Sequence, residues 1–175
     1  MKRSLIIYLL LAVCAIAIGR MFPVESFLNP TPAQRLYMAI NHFAPQYEVP
    51  LKIAFNVARL ETGYLGPHHN NYNHKQTSSA GCLGPMQIMP RYASHYAGFK
   101  VPKEMLKDSI ELNVEISMKM LQQWYKKHKS WDKAAGAYNT GRPILNKYAR
   151  RVAKEDHLSY WVQPNTITLT SRLEN

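Results

Sequence analysis

From Thr31 onward the apolar residues recur at the three- and four-residue spacing of a helix face, and proline and glycine cut that recurrence into segments. A chain patterned this way buries its apolar stripes helix against helix. Two-residue alternation is confined to Thr166–Leu169, so the pattern offers one short β element at most. Thr31 with Pro32 opens a first helix, expected to stop near Phe43, before Pro45. Pro50 opens a second, and Gly63 ends it. Residues 63–80 are rich in Gly, Pro, His, Asn, Ser and Thr and read as a long polar loop, a kind that often carries function in a compact domain. A short helical turn follows Pro90. Asp108 with Glu111 has the form of a capping box, and its helix should run to about Lys127. That helix lines up Ile110, Val114, Met118, Leu121 and Tyr125 on one face. Asp132 is the expected cap of the next helix, stopped by Gly141, and Pro143 the expected opening of a last one carrying Ile144, Tyr148 and Val152.

The expectation is a mainly α (all-α) fold: one domain over 31–157, a linker over 20–30 before it and a tail over 158–175 after it. A chain of 175 residues with 46% apolar content has enough material for one core and is no disordered polymer. Lys and Arg number 22 against 11 acids, a net charge of +11, which suits a polyanionic partner without choosing among nucleic acid, anionic lipid and an acidic wall polymer.

The N-terminus narrows that choice. Lys2 and Arg3 precede an apolar run from Leu5 to Ile18, closed by Gly19-Arg20. The run is short for a spanning helix, which needs about 20 residues. Its basic start, apolar middle and small residues at Ala15, Ala17 and Gly19 have the form of a signal peptide over 1–19, with an uncleaved membrane anchor as the alternative. Either way the domain is expected outside the cytoplasm, in the periplasm or on the outer face of the inner membrane. Nucleic acid is then not an expected partner, and membrane contact would come through the N-terminal segment. Cys14 belongs to that segment, which leaves Cys82 as the domain's one thiol, expected to be a small buried apolar residue.

Glu61 is the residue that points to chemistry. On a helical wheel Lys52, Asn56 and Arg59 fall in one stripe, expected to be the wet face, and Glu61 falls nearly opposite, among Ala54, Val57 and Ala58. A carboxyl group on the apolar side, at the negative end of its helix, resists ionisation and can hold a proton near neutral pH. That is what a general acid requires. The competing reading is a glutamate swung out to water at a helix end.

Three motifs carry a resemblance. Glu61-Thr62-Gly63-Tyr64, then Ser79-Ala80-Gly81 with Gly84-Pro85-Met86-Gln87-Ile88-Met89-Pro90, then Ala137-Tyr138-Asn139-Thr140-Gly141 resemble the signatures of soluble lytic transglycosylases of glycoside hydrolase family 23. That family has a goose-type-lysozyme-like fold. The resemblance spans about Pro50 to Val152 and includes a closing Tyr148-Ala149-Arg150-Arg151-Val152 run. The short step from Asn139 to Tyr148 is similar to the small transglycosylases of secretion, conjugation and phage entry systems. By position it implies Glu61 as the catalytic acid/base and Thr62, Met86, Gln87, Tyr138, Asn139 and Tyr148 as substrate-binding residues. Pro85 stands for the usual Leu, Cys82 for a small Ala and Ser117 for a frequent Gly, and the step from Asp108 to Asn113 is one residue longer than the family's. The last two differences bear on local helix packing.

The implied reaction is cleavage of the MurNAc–GlcNAc β-1,4 bond of peptidoglycan without water. Glu61 acts first as acid and then as base, and the product is a 1,6-anhydro-MurNAc end. Ordinary glycosidases use two carboxylates. Apart from Glu61, none of the acids lies in a recognised motif, which is compatible with a nucleophile supplied by the sugar's own C6 hydroxyl. A hydrolytic lysozyme of the same fold and a non-catalytic wall-binding part of a secretion or phage machine are the other readings. No cofactor or metal is implied. His68, His69 and His74 share one loop, but their spacing matches no zinc ligand set. Lys126-Lys127-His128-Lys129 and Arg150-Arg151 read as solvated helix ends that would also attract stem-peptide carboxylates. Tyr64, Tyr72, Tyr92, Tyr96 and Trp161 are either core or sugar-stacking platforms.

Overall fold

The computed structural model describes residues 29–155. The signal-or-anchor segment, most of the linker, Trp161, the tail and its alternating Thr166–Leu169 lie outside the described residues. The chain divides into two units, Met1–Thr31 and Pro32–Asn175, and the helices described below all belong to the second. They are α1 (Pro32–Gln46), α2 (Leu51–Thr62), α3 (Pro90–Ala97), α4 (Lys103–Asp108), α5 (Ile110–His128), α6 (Trp131–Thr140) and α7 (Lys147–Lys154). Among the described residues no segment forms a strand; Thr77, Leu83 and Ile88 make isolated antiparallel bridges. None of these helices is long and apolar enough to cross a membrane.

Helix α5 is the central element, packed on α1 on one side and α6 on another, while α7 lies on α2 and α6. Ile110, Val114, Met118 and Leu121 are fully buried, as their spacing predicts. Tyr125, next on that stripe, is half-buried and stacks on Trp131 with ring centroids 4.1 Å apart. Leu36 and Ile40 of α1 and Phe55 and Val57 of α2 complete the core. Each such side chain contributes about 1.5–3 kcal/mol relative to exposure.

Several boundaries differ from the expectation. Helix α1 continues through Pro45 to Gln46, because the amides of Tyr47 and Val49 satisfy the carbonyls of Phe43 and Ala44 in the last turn. The long helix is capped by Ser109, whose hydroxyl accepts from the Leu112 amide, and not by Asp108, which ends α4 and pairs with Lys75. Ser130, not Asp132, caps α6 by accepting from the Lys133 amide. The last helix starts at Lys147 with Asn146 as cap; Pro143, Ile144 and Leu145 precede it in an exposed connection. Asn56 was expected on a wet face and is instead 1% exposed. Helix α7 covers it, and its amide nitrogen donates to the carbonyls of Val152, at 2.8 Å, and Glu155.

Candidate active site

Pro50 opens α2 and Gly63 closes it in the left-handed conformation, φ 68°, with its amide bonded to the Arg59 carbonyl. That ending leaves Glu61 in the last turn of a helix whose Ala54, Val57 and Ala58 are fully buried. Glu61 opens into a cleft of about 460 Å³, and it is the one acid among the described residues that line it. Burial pushes its carboxyl pKa up to about 7, against the opposing effect of a hydrogen bond from Tyr148. The Tyr148 hydroxyl donates to Oε1 at 2.6 Å. Burial, and then the Glu61 charge, drive the Tyr148 hydroxyl itself far above the ordinary tyrosine range, so it stays a donor.

The turn Gly84-Pro85-Met86-Gln87 brings Gln87 to the cleft. Asn113 of α5 pins it from behind: its Oδ1 accepts from the Met86 amide at 2.9 Å, and its Nδ2 donates to the carbonyls of Leu83 and Leu106. Gly84, at φ 78°, is required there, because a Cβ would stand 2.3 Å from the Asn113 amide nitrogen. Gln87 sits at φ 52°, an uncommon conformation for a side-chain-bearing residue, held by its Nε2 bonds to the carbonyls of Gly84 and Gln76. Both hydrogens of its Nε2 are engaged in those two bonds, and Gln87 lines the cleft. The Tyr138 hydroxyl donates to the Met86 carbonyl at 2.6 Å and in turn accepts from Ser117 at 3.0 Å. The departure at Ser117 thus supplies the residue that completes the Tyr138 hydrogen bonds.

The motif residues divide into two sets. Glu61, Gln87, Tyr138 and Asn139 line the cleft, and Tyr148 reaches Glu61. Asn139 is exposed and accepts from Asn146, which also caps α7. Thr62 and Met86 do not line it. The Met86 side chain is fully buried, so its backbone alone meets the site. Thr62 is buried, with its hydroxyl 3.0 Å from the Pro85 carbonyl and 2.7 Å from the Tyr72 hydroxyl, tying the end of α2 to the turn.

Cys82, expected in the core, is half-exposed and lines the cleft. Tyr64 and Tyr72 are core residues, whereas Tyr92 and Tyr96 line the cleft together with Trp124, which sequence reasoning did not single out. Trp124 lies on α5 where its periodicity reads only as another large side chain. Among the described residues no three potential metal ligands cluster.

A lone desolvated carboxyl group facing a cleft walled by helices and one pinned turn is the arrangement of a lysozyme-like domain. Residues 38–160 match the family described as Transglycosylase SLT domain, and the chain belongs to that family. The structure is similar to the 70 kDa soluble lytic transglycosylase Slt70 from Escherichia coli, with 26% identity and a TM-score of 0.51 over 66% of this chain. It also matches the 70-kDa soluble lytic transglycosylase in complex with bulgecin A, with 25% identity and a TM-score of 0.49, over 70% of this chain and 19% of that one. The present chain spans 18% of the length of Slt70. No curated protein matches by sequence.

Proposed function

We propose that the chain is a peptidoglycan lytic transglycosylase in which Glu61 is acid and then base. The observation that carries this reading is a single carboxyl group, its pKa raised to about 7 by burial, facing a cleft in a chain of the SLT family. Protonated Glu61 gives its proton to the glycosidic oxygen as the MurNAc C1–O bond breaks. The C6 hydroxyl of the same MurNAc attacks C1, its proton passes to the Glu61 carboxylate, and the acid is regenerated as the 1,6-anhydro ring closes. Water is neither consumed nor released. The tethered hydroxyl has a large effective concentration, which favours it over water. Tyr148 fixes one carboxyl oxygen and leaves the other for the substrate. Gln87, Tyr138 and Asn139 are the residues expected to hold the sugars. Thr62 and Met86 support them from beneath.

Purified sacculi digested by the full chain provide the test. Release of soluble muropeptides, unaffected by a chelator, is the expected result; a chain that binds sacculi without releasing fragments is a wall-binding component. Export belongs to the same proposal, motivated by Lys2, Arg3 and the Leu5–Ile18 run. A reporter active only outside the cytoplasm, fused after Asn175, should be active, and a stable but inactive fusion refutes it. The short step from Asn139 to Tyr148 supports service to a secretion, conjugation or phage apparatus.

A further inference from the structure

Among the described residues that line it, the cleft has one cation as well as one acid. Among the described lining residues Arg91 alone is positively charged, and neutral sugar hydroxyls give a guanidinium no charged partner. Arg91 stands in the first turn of α3, exposed, with its guanidinium carbon 4.8 Å from the centroid of the Tyr92 ring. It forms no ion pair among the described residues. A cation at the start of a helix opposes the helix dipole, so this placement does not stabilise α3. The stacked ring instead limits the motion of a long side chain, which lowers the entropy lost when the guanidinium takes an anion. The charges of a peptidoglycan strand lie on its stem peptides, which branch from the MurNAc residue whose bond the proposed reaction cuts.

We propose that Arg91 binds a carboxylate of the stem peptide and makes the enzyme prefer peptide-bearing glycan over naked glycan. The proposal rests on the transglycosylase reading and adds a specificity-determining residue to it. A planar guanidinium can meet a carboxylate through two parallel hydrogen bonds, which gives orientation as well as attraction. Burial raises the pKa of Glu61 and the Tyr148 hydrogen bond opposes that rise, with no contribution from Arg91. Arg91 therefore acts on binding and leaves the acid/base pH profile in place.

The test compares kcat/KM of the full chain on soluble peptide-bearing strands and on the same strands stripped of peptide by an amidase. The parent should favour the first, and Arg91→Gln should reduce that preference by roughly three- to tenfold. The loss should appear in KM for the peptide-bearing strand, with the pH profile unmoved, and Arg91→Lys should keep part of the preference. Raising the salt concentration should bring the parent towards the variant. A parent without preference, or an Arg91→Gln variant whose preference matches the parent's, overturns the assignment. An equal loss on both strands also overturns it, because that is the signature of a contact to the sugar or to the lactyl carboxylate that the amidase exposes, or of a disturbed fold. A parent inactive on both strands fails the transglycosylase reading itself, a result distinct from the others.

Discussion

Replacing Glu61 by Gln should make the protein more stable and nearly inactive, and the gain in stability should depend on pH in a defined direction. The Glu61 carboxyl has a pKa of about 7 in the folded chain against 4.5 for an ordinary glutamate, because burial penalises its charge. The folded state therefore holds this proton more tightly than the unfolded chain does. Stability must fall as pH rises from about 4.5 to about 7, and the penalty is complete above that window. At ~1.4 kcal/mol for each tenfold change in proton affinity, the ionised carboxylate costs the fold about 3 kcal/mol. Gln keeps an acceptor oxygen for Tyr148 and never ionises. Glu61→Gln should gain about 3 kcal/mol over the parent near pH 8 and almost nothing near pH 4. Its turnover should fall by roughly two to four orders of magnitude while KM changes little. Urea unfolding at both pH values, paired with glycan cleavage rates, measures all of this. A variant less stable than the parent near pH 8 would mean that Glu61 balances a buried cation. Near-parent turnover would remove it from the chemistry.

Tyr148→Phe removes the hydrogen bond that restrains the Glu61 pKa. The alkaline limb of the activity profile should move to higher pH, and turnover should drop roughly ten- to a hundredfold as the carboxyl group loses its orientation. Asn113→Ala leaves the Met86 amide and the carbonyls of Leu83 and Leu106 without their partner, and denaturant titration should show a loss of about 3 kcal/mol or more. Gly136→Ala places a Cβ 2.0 Å from the Ile144 carbonyl oxygen. The connection leading to Asn146 and Tyr148 must shift, so stability should fall by roughly 1–3 kcal/mol and activity should fall with it.

The sequence places Glu61 correctly because a helical wheel needs only local geometry. Asn56 shows where that method stops. A wheel reads Asn56 as wet; its burial depends on α7, almost a hundred residues away in the chain, supplying carbonyls to its amide. The misplaced caps have a different cause. Ser and Asp cap helices about equally well, so Ser109 beside Asp108, or Ser130 near Asp132, leaves local sequence without a preference. Tertiary packing decides the register, and α4, which carries Asp108 at its end, was not expected at all. The site's motif residues were legible by resemblance, but their division into cleft and support was not. Met86 and Gln87 are neighbours, and only the positive φ at Gln87 and the bonds from Asn113 and Tyr138 turn one inward and the other to the cleft. For Cys82 and Trp124 no spacing rule signals a cleft wall, because either residue type is equally at home in a core.

The mass of the cut glycan end tests the central claim most directly. Peptidoglycan digested by the parent chain should yield muropeptides ending in 1,6-anhydro-MurNAc, with no isotope incorporated when the digestion is run in heavy-oxygen water. Products heavier by one water, ending in reducing MurNAc and carrying the heavy oxygen, would show that water attacks C1 and would contradict the transglycosylase account.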